Sequence, residues 1–420
     1  MTQPLQPHVV ILGGGFGGLW ATRALASAPV RITLVDRTNH HLFQPLLYQV
    51  AMAGLSSPDI AAPLRHILRQ QRNVTVLMDE ILAIDVAAKH VNLASGRVGY
   101  DYLVVATGAR HAYFGHDDWA RFAPGLKNLD DARLIRRRML EAFEHAELES
   151  DPLIRAEWLN FVIIGGGPTG VELAGTLAEI ARHTLPREFR RCDPRTANVH
   201  LVEAGPRVLA SMPESLSAKA KAQLARLGVS VDTGQAVTGI DERGVALGER
   251  RLDARTVLWA AGVAASRLGS QLGGETDRVG RVKVLPDLSV PGHPDVFVVG
   301  DLASVTQDGV PVPGVAPAAK QMGAYVADVI RNRLADRESP AFHYRDFGNL
   351  ATVGRLAAVV DIRGLRISGA LAWFFWLFAH IFFLIGFRNR IVVFIDWIWS
   401  YFTYQRNARI IIGNSKDHDS

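Results

Sequence analysis

Val9-Val10-Ile11-Leu12-Gly13-Gly14-Gly15-Phe16-Gly17-Gly18 decides the fold. An apolar run long enough for a buried strand passes straight into a glycine-rich turn. A helix is predicted from about Leu19 to Ser27, and a second apolar run, Val30-Arg31-Ile32-Thr33-Leu34-Val35, ends at Asp36. Gly13, Gly15 and Gly18 fit G-x-G-x-x-G. The first glycine permits a tight turn, the second lets a pyrophosphate approach the backbone, and the third lets helix and strand pack closely. The helix N-terminus turns its N–H groups and positive dipole end toward phosphates. Asp36, closing the second strand, is placed to accept hydrogen bonds from an adenosine ribose. A glycine-rich turn alone occurs in many α/β proteins; the order strand, turn, helix, strand, Asp points to a dinucleotide.

The same pattern returns about 150 residues later. Phe161-Val162-Ile163-Ile164 reads as a strand, Gly165, Gly167 and Gly170 repeat the spacing around Pro168 and Thr169, and a helix is predicted from Val171 to about Arg182. The partner strand, Val199-His200-Leu201-Val202, ends at Glu203. Two complete units argue for two nucleotides bound together. A carboxylate at Glu203 accepts a ribose 2′-OH and repels a 2′-phosphate, which favours NADH over NADPH. Arg207, close by in sequence, works against that preference.

Outside the two loops, Arg37 to Tyr48 reads either as an ordinary crossover loop or as a loop with cofactor contacts. Asn73–Leu77 and Ile81–Val86 read as strands. Tyr102-Leu103-Val104-Val105 reads as a buried parallel strand running into the small-residue turn Ala106-Thr107-Gly108-Ala109, which suits close passage by a cofactor. Asp130 to about Ala156 reads as one polar connecting helix. Thr256 to Gly262 reads as the last strand of an inserted domain, and Asp295 to Asp301 as a further buried strand. Asp301 is placed to bond flavin ribityl hydroxyls or to cap the next helix.

Composition narrows the function. A chain of 420 residues calls for two or three domains. Net charge +5 without an aromatic-interleaved basic patch argues against nucleic acid. One cysteine, Cys192, excludes a disulfide framework, a cysteine metal cluster and a redox C-x-x-C; no zinc spacing is present and no metal site is expected. With the first strand starting near His8, no signal or transit peptide is expected.

Near the C-terminus the character changes. Counted from Leu371 to Phe387, an almost wholly apolar run of 17 residues is interrupted by Arg388-Asn389-Arg390, and a second run of 14 extends from Ile391 to Tyr404. The first run corresponds to about 26 Å of helix, the lower limit for a bilayer core of about 30 Å. Basic residues flank it on both sides and aromatics are dense, which suits a monotopic anchor. A single short span and a buried dimer interface are the other readings.

Several stretches together resemble type II NADH:quinone oxidoreductases, single-subunit, non-pumping members of the two-dinucleotide flavoproteins. They are Gly13–Gly18 with Phe16, His41–Ala51, Gly165–Glu172, Val298–Asp301, Tyr344–Arg355 and the aromatic C-terminal segment. The resemblance implies two Rossmann-like, glutathione-reductase-like α/β domains and a C-terminal membrane-docking helical segment. An FAD domain is expected over 1–125 and 280–340, an NADH domain over 155–275, and an anchoring and dimerisation region over 341–420. Non-covalent FAD is expected at Gly13, Gly14, Gly15, Phe16, Gly17, Gly18, Asp36, Arg37, Gln44, Ile81, Thr107, Gly108, Gly300, Asp301, Ala318 and Ala319. NADH, as substrate, is expected at Gly165, Gly167, Pro168, Thr169, Gly170, Glu203 and Gly262.

For the quinone, the resemblance implies Glu172, Gln321 and Lys320, with Glu172 and Gln321 as the candidate catalytic residues. Without it, Glu172 reads equally as a first-turn glutamate favoured by the helix dipole. The family's A-Q-x-A-x-Q pattern is here Ala316-Pro317-Ala318-Ala319-Lys320-Gln321, so Pro317 replaces its first glutamine. A homodimer on the cytoplasmic face of a bacterial-type inner membrane is expected. A soluble reductase of a protein partner and an NADH-binding redox sensor share the glycine loops, but the first has no use for Leu371–Tyr404.

Overall fold

The computed structural model describes residues 6–385, 387–403 and 408–411. Two compact units divide the chain: one from Met1–Leu42, Ala61–Arg110 and Val263–Phe347, the other from Phe43–Ile60, His111–Gly262 and Gly348–Ser420.

The first unit is built on a sheet in the order Ser289–Val290, His293–Val298, Tyr102–Val105, His8–Leu12, Arg31–Asp36, Val74–Met78. All pairings are parallel except the short edge strand Ser289–Val290. His8–Leu12 is central and buried throughout, as its unbroken apolar sequence requires in a sheet covered on both faces. The helix Phe16–Ala24 follows at once, three residues earlier than the apolar pattern predicts, because the glycine turn itself supplies its first turn. It packs along the long helix Ala316–Leu334; a Cβ on Gly323 would lie 2.1 Å from the Gly17 carbonyl, so only glycine permits this approach.

The second unit holds a smaller all-parallel sheet in the order Val229–Thr233, Asn198–Glu203, Asn160–Ile164, Thr256–Trp259. The fold class is the expected α/β class with two Rossmann-like sheets. The connecting helix expected over Asp130 to Ala156 is two helices, Leu129–Leu148 and Pro152–Leu159. Asp151 caps the second, accepting from the Leu153 N–H at 2.8 Å, and Pro152 occupies the first helical position, where its absent N–H costs nothing. The helix predicted from Val171 to Arg182 is α-helical over Pro168–Glu179 and loosens into a π-type turn at Ile180–Thr184.

A three-stranded antiparallel sheet, Asn349–Gly354, Ala357–Ile362 and Leu365–Ser368, belongs to the same unit. Two helices follow, Ala370–Phe383 and Phe387–Thr403. The first has 14 residues, about 21 Å, too short for a bilayer core of about 30 Å. Among the described residues no helix is long and apolar enough to cross a membrane. The helix stops because Leu384 turns extended, and the Arg390 Nε donates to the Leu384 carbonyl at 2.8 Å. Ala372, Trp376, Leu377 and His380 face inward, while Leu371, Phe374, Phe375, Phe378, Phe382 and Phe383 are exposed. Gly386 and Tyr404 lie outside the described residues, as does the side chain of Arg388.

Candidate functional site

The two glycine loops are chemical duplicates. Gly13 (φ 101°) and Gly165 (φ 110°) both occupy the left-handed region. The Gly13 N–H donates to the Val35 carbonyl at 2.7 Å and the Gly165 N–H to the Val202 carbonyl at 2.8 Å. A Cβ on Gly18 would lie 1.9 Å from the Gly13 oxygen, and one on Gly170 1.8 Å from the Gly165 oxygen. At Gly15 and Gly167 a Cβ would meet nothing within 4 Å: the backbone there faces open space. Neither N-cap glycine supplies a side-chain cap to its helix, so both helix starts suit an anionic group.

The acidic residues are duplicates as well. One Asp36 oxygen accepts from the Gly14 N–H at 2.6 Å, and the other from the Thr38 N–H at 2.7 Å and its hydroxyl at 2.8 Å. One Glu203 oxygen accepts from the Gly166 N–H at 2.5 Å, the other from the Gly205 N–H at 2.6 Å. Each carboxyl group thus ties its loop to the end of the neighbouring strand. Arg207, the residue that weakened the NADH preference, donates to the Met212 carbonyl at 2.6 Å and the Ala210 carbonyl at 2.8 Å. Its guanidinium is committed to the backbone.

In the first unit, Gly13 packs on the Ala106 carbonyl, bringing the turn Thr107-Gly108 to the glycine loop. The Thr107 hydroxyl is buried without a hydrogen-bond partner, which fits a polar group of a cofactor there. A cleft at the start of the helix Ala316–Leu334 is lined by Gly300, Asp301, Ala318 and Ala319. These observations fit an FAD pyrophosphate and ribityl chain. Arg37 is exposed, and Ile81 is half-buried at the start of Ile81–Asp85.

Gln44 falls in the second unit, where its amide donates to the Lys127 carbonyl at 3.0 Å. Its neighbour His41, which the site assignment by sequence passed over, is buried beneath the first loop. Its Nδ1 bonds the Gly14 carbonyl at 3.0 Å, its ring meets Phe16 edge-on at 4.9 Å, and burial pulls its pKa down to about 4. The ring is therefore neutral, and its Nε2 is buried without a partner. The repeated His40-His41 ahead of the Gln-Pro pair was the available signal.

Lys320 places its ammonium 4.5 Å from the Trp20 ring centroid and 5.0 Å from that of Phe16. Desolvation lowers its pKa to about 8. Gln321 donates to the Arg345 carbonyl at 3.0 Å and accepts from the Arg345 N–H at 2.9 Å. Its amide pins the Arg345 backbone, in a stretch without regular secondary structure, in both directions.

Glu172 lies in the second unit on the face of its helix that meets Asn349–Gly354. A Cβ on Gly175 would lie 1.6 Å from the Val353 oxygen, and the missing side chain lets helix and sheet touch. One turn earlier, Glu172 reaches the same strand and accepts from the Thr352 N–H. It is buried, and desolvation raises its pKa well above the ordinary carboxylate value. Burial thus favours the protonated form of this carboxyl, against the charged form that would suit the helix dipole.

The model of the pyridine nucleotide-disulphide oxidoreductase family matches residues 7–323, and that of the NDH2 C-terminal domain matches 347–406. The type II NADH:quinone oxidoreductases Ndh and NdhA of Mycobacterium tuberculosis are similar at 47% and 46% identity. The matches cover 97% and 93% of this chain and 91% and 86% of theirs. Among solved structures, NDH2 from Plasmodium falciparum in complex with NADH shares the fold with a TM-score of 0.88 at 21% identity, covering 97% of this chain and all of that one. The sulfide:quinone oxidoreductase of Aquifex aeolicus shares it less closely, with a TM-score of 0.73 at 19% identity over 94% of this chain and 95% of that one. The chain belongs to the type II NADH:quinone oxidoreductase family.

Proposed function

We propose that this chain is a membrane-associated flavoenzyme that oxidises NADH and reduces a membrane quinone without moving protons across the bilayer. The observation that carries the proposal is the duplicated glycine loop, each copy locked to its own carboxylate, in a chain of this family. FAD is assigned to 1–125 and 280–340, and NADH to 155–275. FAD held there would supply a hydride acceptor able to pass two electrons on to a quinone.

The protein's share is placement and proton handling. The loop Gly13–Gly18 binds the FAD pyrophosphate through backbone N–H groups, with Asp36 at the ribose. Asp301 faces the cleft suited to the ribityl chain. The loop Gly165–Gly170 binds NADH, with Glu203 accepting the 2′-OH and excluding a 2′-phosphate. Held by these two loops, the two nucleotides would need little from the protein beyond orientation for hydride transfer. Glu172 holds a proton on its carboxyl for the quinone step, and Gln321 and Lys320 are assigned to the quinone region. Pro317 takes away one amide of the family's pattern, and Gln321 retains the other.

Exposed aromatics on Ala370–Phe383, together with Ile391, Phe394, Ile395, Ile398 and Trp399 on the last helix, support docking onto the lipid surface of an inner membrane from the cytoplasmic side. A homodimer is part of the same reading. The test is fractionation and turnover together. The protein is expected with membranes until detergent is added, and NADH consumption is expected to require a quinone. A protein soluble without detergent that reduces only a protein acceptor would overturn the proposal.

A further inference from the structure

The turn Tyr113-Phe114-Gly115-His116 in the second unit is closed by the His116 N–H donating to the Tyr113 carbonyl at 3.0 Å. Its central residues both have positive φ, 53° at Phe114 and 95° at Gly115. That backbone suits Asn-Gly; a bulky aromatic at the first position is strained. Little burial offsets the strain: Phe114 is 69% exposed, its ring touching Gly262 and lying 6.2 Å from that of Trp259.

The base of the turn is rigid. The Tyr113 hydroxyl donates to the Ala123 carbonyl at 2.8 Å, and its ring lies 4.9 Å from that of Trp259. Trp259 Nε1 donates to the Ala112 carbonyl at 3.1 Å, and His116 stacks on Trp119 at 4.1 Å. A hydrogen-bonded aromatic base therefore carries one apolar ring that is mostly open to water. A single exposed ring is unremarked on most surfaces; one held at a strained φ on a braced turn points to a ligand.

Its position says which ligand. The Phe114 ring lies against Gly262: a Cβ there would sit 2.4 Å from Phe114 Cζ. Gly262 ends the segment that leaves the strand Thr256–Trp259, and Ala260 in that segment packs on Gly165. In the sheet, Asn160–Ile164, which feeds the glycine loop, lies between the strand ending at Glu203 and Thr256–Trp259. A dinucleotide held at its pyrophosphate by Gly165–Gly170, with its adenosine ribose at Glu203, runs its other half over Ala260–Gly262.

We propose that Phe114 is a binding and positioning residue for the nicotinamide half of NADH, its ring packing on the nicotinamide riboside beside Gly262. This rests on the NADH reading of the second unit. The test uses the FAD-loaded full chain and stopped-flow bleaching of the flavin band at increasing NADH, with AMP, which carries only the adenosine half, as a competitor. Phe114→Ala is expected to raise the half-saturating NADH concentration about tenfold, the effect of one lost aromatic contact, with AMP inhibition within about twofold of wild type. Phe114→Tyr is expected to restore NADH affinity. Phe114→Gly, which relieves the strained φ, is expected to melt no lower than wild type while keeping the NADH defect. Equal weakening of NADH and AMP, or unchanged NADH saturation in Phe114→Ala and Phe114→Gly, would overturn the assignment. Failure of NADH to bleach the wild-type flavin would instead overturn the underlying NADH reading.

Discussion

Replacing Gly170 by alanine separates the two glycine loops by function. The new Cβ would lie 1.8 Å from the Gly165 oxygen and 3.0 Å from its carbonyl carbon. Carbon and oxygen approach no closer than about 3.3 Å even in favourable contacts, so helix and loop must part by about 1.5 Å. A misplacement of about 1 Å at a reacting group costs about a hundredfold in rate. Flavin bleaching by NADH in Gly170→Ala is therefore expected to slow by at least that factor, with the FAD content of the purified protein unchanged. Gly18→Ala carries the same clash, 1.9 Å from the Gly13 oxygen, and is expected to lose FAD instead. Gly167→Ala is the control: its Cβ meets no protein atom within 4 Å, so the melting temperature should hold while half-saturation by NADH rises. The assay is absorbance of bound flavin at rest and in stopped flow. Wild-type reduction rates in Gly170→Ala, or loss of FAD from it but not from Gly18→Ala, would refute the assignment of FAD to the first loop and NADH to the second.

Glu203→Gln should narrow the preference for NADH over NADPH, read as the ratio of kcat/KM values, because it removes the charge facing a 2′-phosphate; an unchanged ratio would dismiss Glu203 as the discriminator. Burial raises the folded pKa of Glu172, so the native state retains a proton that the unfolded chain releases. That contribution to stability is complete below the ordinary carboxylate pKa and is lost as pH rises through the raised one. Denaturant titrations should show Glu172→Gln flattening this fall, and an unaltered profile would mean that the buried carboxyl is ionised. Gln321→Ala removes both bonds to the Arg345 backbone and should cost about 1–2 kcal/mol of stability. A rise in quinone KM without any such cost would mean that Gln321 acts on quinone alone. Phe378→Asp with Phe382→Asp should abolish sedimentation with anionic lipid vesicles while leaving NADH bleaching intact; retained binding would move the docking surface elsewhere.

What the linear chain reveals here is what depends on neighbours in sequence. The glycine loops, the strand runs and the acids at Asp36 and Glu203 are local patterns, and the folded molecule uses each of them. The break at Asp151-Pro152 was also local, an N-cap followed by a first-turn proline, yet the polar periodicity on both sides hid it. The length of the first C-terminal helix was not legible, because Leu384 leaves the helix under a bond from Arg390, six residues on. Partners far apart in sequence were equally out of reach. Glu172 meets Thr352 only because Gly175 lets its helix touch a sheet nearly 180 residues away. Gln321 turned out to brace Arg345, and His41 sits under Gly14 although no motif for the loop includes it. The same holds for Phe114, whose positive φ has no signature beyond the glycine that follows it.

The central claim is a single path from NADH through bound flavin to quinone, and one anaerobic stopped-flow experiment on the detergent-solubilised protein tests it. NADH should bleach the flavin band rapidly, and a short-chain quinone added without oxygen should restore it as rapidly. Rapid bleaching that recovers only when oxygen or a protein acceptor is supplied would contradict the account.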